Sequence, residues 1–237
     1  ALTALAARFD GSRKAWIKRP SPAAFTQARH DLSLLQGTVS HHAAHAASTS
    51  ARADAVQVAY ADNIEWLLAQ EPPGTRLVVW SHDLFIGKDG IPAGYTSSAW
   101  APGTPATSMG QELARRLAKD YVALGFAFGQ GSFLATAPSD SAPRRGAEHT
   151  GGPAPDWDLG ALFSRAGHDL SVTDLRALPQ GVVADWFSAT RPLRAAGPSL
   201  ASTKWMWWPV ALRDQFDGVI FVDRTTRARP PRGEDPR

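Results

Sequence analysis

Hydrophobic positions along the chain switch between helical spacing and short continuous runs. In residues 1–36 apolar side chains recur every three to four positions, and Pro20 and Pro22 divide this segment into two predicted helices. The same spacing predicts helices over residues 53–70, 109–118 and 158–166. Residues 37–50 contain Ala, His, Ser and Thr with little periodicity, so a loop or a weak helix start is expected there.

Continuous apolar runs between these helices predict strands. Leu77–Trp80 follows Pro72-Pro73-Gly74 and predicts a buried strand that ends at His82. Residues 121–128, 170–175 and 216–223 predict further strands, the first ended by Gly129-Gln-Gly131. Because helices and strands alternate, the sequence predicts an α/β fold with a mixed or mostly parallel sheet flanked by helices.

Other segments predict irregular structure. Residues 87–108 and 138–155 are rich in Gly, Pro and Ser and predict a long loop and a mobile surface excursion. The Trp205-Met-Trp-Trp208 cluster predicts either core packing or an apolar wall for a ligand.

Composition narrows the function classes. With 237 residues, 43% of them hydrophobic, the chain can bury a large core. A formal net charge of +3 is too small to indicate a nucleic-acid partner. The chain has no Cys, which excludes disulfides and thiolate sites. No apolar run reaches the roughly 18 residues of a membrane span, so no membrane partner is expected and a cytoplasmic location is the default.

The candidate chemistry lies at the end of the first predicted strand, where α/β sheets commonly bind ligands. An imidazole there, His82, could act as a general base or as a hydrogen-bond donor to a carbonyl, or it could simply cap the strand end. Asp83 could orient an imidazole or serve as a turn residue. Neither a Gly-x-Ser-x-Gly elbow nor a Cys nucleophile is present. His41 and His45 have helical metal-ligand spacing, but a third ligand is missing, so no metal is predicted.

Several segments, taken in order, resemble the erythromycin esterase family. They span roughly residues 50–229 and are Ala61–Leu68, Val78–His82, Ser108–Gly110, Gly125–Phe133 and Phe216–Thr226. The resemblance implies a hydrolase in which water activated by His attacks a carboxylic ester, such as a macrolide lactone, without a cofactor. It implies that His82 is catalytic and that Asn63 lines the substrate pocket, although Asn63 could instead lie on a solvated face of its helix. Asp83, beside His82, is the second candidate for substrate binding.

The resemblance also exposes departures. The family's first half carries a Gly-Glu-x-x-His-Gly segment that has no match here. We therefore expect residues 1–229 to be the C-terminal part of such a domain, with 230–237 a flexible tail. An N-terminal segment or a separate subunit would supply the rest.

At the site itself, the family's Trp-Ala-His-Asn-x-His reads Trp80-Ser-His-Asp-Leu-Phe85 in this chain. The family's Arg-Asp pair, upstream of Asn63, is replaced by Val56 and Gln57. These losses favour a second hypothesis, a non-catalytic ligand-binding or assembly module on the same scaffold.

Overall fold

The chain forms two compact units, Ala1–Leu77 and Val78–Arg237. The computed structural model describes residues 2–18, 21–47, 49–92, 106–136, 147–194, 196 and 207–229, with the side chains of residues 40–53 left out. The predicted tail at 230–237 and the first half of the predicted excursion, residues 138–146, lie outside the described residues.

The first unit is helical where it is described. Its helices are α1 (Leu2–Gly11), α2 (Arg13–Trp16), α3 (Pro22–Ala47) and α4 (Thr49–Gln70). α3 packs along α4 and α1 packs on α3. Phe9 joins these helices, because its ring lies 4.7 Å from that of Trp16 and 5.8 Å from that of the buried Phe25. The helices predicted on either side of the proline turn and over 53–70 are thus present.

Residues 37–47 continue α3, so the loop, one of the two alternatives predicted for residues 37–50, is wrong. Ala is the strongest helix former and is abundant after Gly37, whereas hydrophobic spacing alone gave no helical signal. A Cβ at Gly37 would lie in ordinary van der Waals contact with the Cβ of Ala59 on α4, at 3.9 Å, so the packing of α3 on α4 does not require a glycine here.

The second unit contains a mixed sheet with helices around it, as predicted. Its described helices are α5 (Asp83–Ile86), α6 (Met109–Leu117), α7 (Leu159–Arg165), α8 (Val182–Ser188) and α9 (Leu212–Gln215), with a 3₁₀ turn at Ala118–Asp120. Its strands are β1 (Leu124–Ala135), β2 (Ala147–Gly151), β3 (Leu170–Asp174), β4 (Arg191–Arg194), β5 (Trp207–Val210) and β6 (Gly218–Thr225). The main sheet has the order β2-β1-β6-β3. β1 and β6 are parallel, and the other pairs are antiparallel, including the separate pair β4–β5.

One face of this sheet carries the core of the second unit. Ala127, Val219 and Phe221 point to it and are buried. The ring of Phe163 on α7 stacks on Phe221 at 5.4 Å. Trp208 on β5 is 1% exposed and packs in the core. Core packing was one of the two predictions for the tryptophan cluster. Trp205 lies outside the described residues.

The predicted buried strand at Leu77–Trp80 is wrong. This segment has no regular secondary structure, and Val78 and Trp80 are 89% and 84% exposed. Within the described ranges no backbone group hydrogen-bonds to it. A run that is apolar on both faces is buried only when neighbouring strands and covering layers are supplied, and the described part of the chain does not supply them.

β1 does not end at Gly129-Gln-Gly131, as predicted, but runs through both glycines to Ala135. Gly131 has a φ of +124°, and a Cβ there would overlap the backbone of Thr225 on β6. Glycine thus serves here to let two strands approach closely, and it does not mark a turn.

The contact between α5 and α6 also requires a glycine. A Cβ on Gly110 would overlap the carbonyl group of Ile86. Ser108 caps α6 at the same point, where its Oγ accepts from the Gln111 amide at 2.9 Å. The start of α6 is thereby seated directly on the end of α5.

We expect Gly110→Ala to destabilise the second unit by roughly 1–3 kcal/mol, because the added methyl group displaces backbone that cannot retreat. Denaturant unfolding of the variant would measure the loss. Gly152→Ala is the matched control, since a Cβ at Gly152 meets no atom within 4 Å. Equal stability of the two variants would contradict the close contact.

Candidate functional site

His82 stands at the point where the exposed apolar run ends and α5 begins. It is the N-cap of α5, with extended backbone, and its Nδ1 accepts a hydrogen bond from the Leu84 amide at 3.2 Å. Since Nδ1 accepts, the proton of the neutral ring must be on Nε2. The local turn therefore selects the tautomer that presents an N–H group on the far side of the ring.

Burial keeps this imidazole uncharged. The surrounding protein lowers the pKa of His82 below its usual value, because the charged ring would lose hydration. At neutral pH His82 is thus a neutral Nε2–H donor. In this arrangement Nε2 has no free lone pair with which to remove a proton.

Asp83, the next residue, points into the protein. Its carboxyl is buried and accepts a hydrogen bond from the Phe126 amide of β1 at 3.0 Å. Burial raises the pKa of Asp83 to about 7, and the bond from Phe126 offsets part of that effect. Asp83 therefore ties the start of α5 to the sheet and is partly protonated near neutral pH.

The backbone that follows α5 is fixed by neighbouring elements. Ser108 donates its Oγ–H to the Gly87 carbonyl at 2.6 Å, and Tyr121 donates its hydroxyl to the Ile86 carbonyl at 2.6 Å. Burial raises the pKa of Tyr121 further, so this hydroxyl keeps its proton and remains a donor. The end of α5 is held from two sides.

Residues just before β6 hold the next turn of this loop. Lys88 forms an ion pair with Asp217 at 2.7 Å, and the other carboxylate oxygen of Asp217 accepts from the Ala123 amide. The Gln215 side chain donates to the Gly90 carbonyl and accepts from the Asp89 amide. The loop after His82 is thus anchored at the starts of both parallel strands. These anchors hold the backbone next to the imidazole in a fixed position.

Asn63, also predicted to bind substrate, lies on α4 in the first unit. Its Oδ1 accepts a hydrogen bond from His30 Nε2 at 2.8 Å. The His30 ring lies flat on the indole of Trp66, with centroids 3.6 Å apart. The structure therefore places Asn63 in a half-buried His-Asn-Trp group that joins α3 to α4, and its role in substrate binding stays a prediction.

Sequence reasoning found His82 and Asp83 but missed the groups that hold them. Ser108 and Asp217 fall within the segments that carry the family resemblance, so a signal for them was present. His30 gave no signal, because its bond to Asn63 joins two helices 33 positions apart. No group of three or more metal-ligating side chains occurs among the described residues, and the side chains of His41 and His45 lie outside them.

A family model described as erythromycin esterase matches residues 1–225. The chain belongs to the erythromycin esterase family. The recognition made from the ordered segments is thereby confirmed. Among curated proteins none matches significantly.

Solved structures share the fold of this family member at low sequence identity. A Bacillus cereus protein matches with a TM-score of 0.77 and 16% identity, covering 95% of this chain and 51% of its own. A succinoglycan biosynthesis protein gives 0.72 and 20%, covering 95% and 48%. The erythromycin esterase EreC, as a histidine-to-asparagine mutant in its open conformation, gives 0.60 and 17%, covering 94% and 51%. The chain thus spans about half the length of these proteins.

No described helix is both long and apolar enough to cross a bilayer. The predicted cytoplasmic location stays a prediction.

The buried carboxyl makes the stability of this family member depend on pH. Because the pKa of Asp83 rises from its usual 3.8 to about 7 on folding, the folded state holds the proton more tightly. The contribution of Asp83 to the free energy of unfolding is then largest below about pH 4, and it is lost as the pH rises to about 7. At 1.36 kcal/mol per pH unit, the full loss is about 4 kcal/mol at most.

We expect Asp83→Asn to flatten this part of the stability profile, since Asn keeps the acceptor for Phe126 and does not ionise. Thermal unfolding between pH 4 and 8 would show it. Asp89→Asn, in the exposed part of the same loop, is the control and should leave the slope unchanged. An unaltered slope in Asp83→Asn would refute the perturbed pKa.

Proposed function

We propose that this protein contributes to the hydrolysis of a carboxylic ester, with a macrolide lactone as the candidate substrate, and that His82 polarises the ester carbonyl. The observation that carries the proposal is the bond from Leu84 to His82 Nδ1, which leaves Nε2–H as a directed donor. Family membership supports hydrolase chemistry.

The proposed step is addition of water to the ester carbonyl. A new C–O bond forms, the carbonyl electron pair moves onto oxygen, and the resulting oxyanion accepts a hydrogen bond from His82 Nε2–H. The tetrahedral intermediate then expels the alkoxide, which takes a proton to leave as the alcohol. A donor aimed at the developing oxyanion lowers the barrier most when it is held in place beforehand, as the anchored loop after His82 holds it.

The proton of the attacking water needs a base other than His82. In the described part of the second unit, Asp83 is the carboxyl nearest in sequence, but it is turned towards Phe126 and buried. We propose that the base belongs to the part of the fold that this chain does not span. The family's Gly-Glu-x-x-His-Gly segment, which has no match in this chain, would supply a Glu and a His there, and hydrolysis then requires both halves.

A second candidate function is a non-catalytic ligand-binding or assembly module. It is favoured by Phe85, whose ring centroid lies 6.1 Å from that of His82 where the family has a second histidine. A phenyl ring there supplies apolar contact and no proton transfer, so the site would hold an ester without cleaving it.

Substitutions at His82 distinguish a role as hydrogen-bond donor to the carbonyl from a role as general base for the attacking water. Gln can present an N–H near the position of Nε2 but cannot act as a base at neutral pH. In a protein that carries both halves of the fold, we expect His82→Ala to lower kcat about 10²- to 10³-fold and His82→Gln to retain a measurable part of the activity. Macrolide ring opening followed by mass spectrometry gives the rates.

If His82 is instead the base, the Gln and Ala variants should lose activity equally. Undiminished hydrolysis in His82→Ala would remove His82 from the mechanism altogether. Gly152→Ala serves as the unperturbed reference for folding and turnover.

The two candidate functions differ in the outcome of titration. Calorimetric titration with macrolides, followed by product analysis, should show binding with ring opening for the hydrolase and binding without product for the module. We expect Phe85→His to raise turnover if the phenyl ring is what removed proton transfer. Absence of both binding and product, in a protein with both halves, would exclude both functions.

A further inference from the structure

The chain contains three Asp-Gly pairs, which are Asp10-Gly11, Asp89-Gly90 and Asp217-Gly218. Such a pair can rearrange without an enzyme, because the glycine amide nitrogen can attack the side-chain carboxyl of the aspartate and glycine has no Cβ to hinder the approach. The reaction is fastest where neither the carboxyl nor the amide is held by another group. The three pairs differ in this respect, so the fold determines which of them reacts.

Both reacting groups of the Asp217-Gly218 pair are held. One carboxylate oxygen of Asp217 binds Lys88 at 2.7 Å, and the other accepts from the Ala123 amide at 2.9 Å. The Gly218 amide donates to the Ala123 carbonyl at 3.4 Å. Ring closure at this pair would have to break an ion pair and two hydrogen bonds.

The Asp10-Gly11 pair is held as well. Both residues lie in α1, so their backbone is fixed in a helix. Arg29 donates to both carboxylate oxygens of Asp10, at 2.9 and 3.2 Å. This hydrogen bonding lowers the pKa of Asp10, and the ionised carboxylate is a poor target for an amide nitrogen.

The reacting groups of the Asp89-Gly90 pair are not held. Gln215 binds on either side of them, because its side chain accepts from the Asp89 amide at 3.2 Å and donates to the Gly90 carbonyl at 3.0 Å. Within the described part of the chain, neither the Asp89 carboxylate nor the Gly90 amide has a hydrogen-bond or ion-pair partner. The two groups that must react are therefore the two that the loop leaves uncommitted.

The fold also requires a glycine at this position. Gly90 has a φ of +74°, and a Cβ there would lie 2.9 Å from the carbonyl oxygen of Ala106. The backbone of the loop thus fixes the least hindered residue directly after Asp89.

We propose that Asp89-Gly90 is a site of spontaneous isoaspartate formation and that the conversion releases this loop from Gln215. First a bond forms between the Gly90 nitrogen and the side-chain carboxyl carbon of Asp89, and water leaves to give a succinimide. Water then adds to the main-chain carbonyl of Asp89, and the bond from that carbon to the Gly90 nitrogen breaks. The lost water is regained, so only the connectivity changes, and the chain now runs through the side chain of residue 89.

The new connectivity does not fit the contacts of Gln215. It inserts one carbon–carbon bond of about 1.5 Å between the Asp89 amide and the Gly90 carbonyl, the two groups that Gln215 binds. The Gln215 residue is 3% exposed, and its planar amide cannot lengthen to reach both groups. Because a buried amide that loses its partners is destabilising, the loop gives up this anchor.

Storage of the purified protein at neutral pH tests the site. Cleavage after arginine places the three pairs in separate peptides, residues 9–13, 77–115 and 214–224, and electron-transfer mass spectrometry distinguishes isoaspartate from aspartate. Isoaspartate should form roughly tenfold or more faster at position 89 than at positions 10 and 217, a factor that one hydrogen bond to a charged group can supply. No isoaspartate at position 89, or an equal rate at either held pair, would overturn the proposal.

Storage in urea supplies the control for the fold. The groups that hold two of the pairs are absent from the denatured chain, so all three pairs should react at similar rates. A preference for position 89 that persisted in urea would come from the local sequence and would overturn the structural explanation.

Substitutions of Asp89 supply the chemical controls. Asp89→Glu keeps the charge and the following glycine but would have to close a larger, less favourable ring, so the peptide should stay unchanged. Asp89→Asn should form isoaspartate faster than the unaltered protein, with loss of ammonia. Rearrangement of the Glu variant at the rate of the unaltered protein would exclude the succinimide route.

Amide hydrogen exchange tests the release from Gln215. The Asp89 amide should be protected in the fresh protein and should exchange freely in the isomerised protein. The Gly87 amide, which donates to the Asp83 carbonyl at 3.0 Å within α5, should stay protected in both. Unchanged protection of the Asp89 amide after conversion would overturn the link to Gln215.

Discussion

The parallel pairing of β1 with β6 is the constraint on which the second unit depends. The pairing extends from Leu124 and Gly218 to Gly131 and Thr225, and it brings the starts of both strands to the same edge. At that edge Asp217 binds Ala123 and Lys88, so the sheet and the loop after His82 share one anchor. Two glycines in β1 allow β6 and α7 to approach closely enough for this arrangement. If the pair separated, both the buried face and the support for the loop would be lost together.

The site that results is nearly without charge. His82 is neutral because burial disfavours the imidazolium, and Asp83 is partly neutral for the same reason. A neutral donor suits the recognition of an uncharged carbonyl, because it need not first release a tightly held shell of water. Burying the carboxyl of Asp83 costs free energy, and the hydrogen bond from the Phe126 amide offsets part of that cost. The neutral His82 ring is thus better suited to donate a hydrogen bond than to remove a proton.

The sequence allowed much of this fold to be predicted, and its errors have physical causes. Helices with strong spacing, such as α4 and α6, and the apolar strands β3 and β6 could be recognised, because the spacing of apolar residues follows the repeat of the helix or strand that contains them. α3 beyond Gly37 was missed because alanine favours a helix without creating an apolar stripe. The composition of Leu77–Trp80 predicts burial, because it shows what the segment is suited to contact. Composition does not show whether that contact is present in the described chain.

The candidate site also has a part that the sequence predicts and a part that depends on the folded structure. His82 and Asp83 could be identified because they directly follow an apolar run, whereas the tautomer of His82 depends on a bond to Leu84 that exists only once α5 has formed.

The ion pair between Lys88 and Asp217 has a further consequence for how the protein is made. Its partners lie 129 positions apart, so during synthesis the turn at Lys88 lacks this anchor until Asp217 has left the ribosome, long after Ser108 and Tyr121 have become able to bind the end of α5. The last support of the loop after His82 is therefore added only when almost the entire second unit has been synthesised.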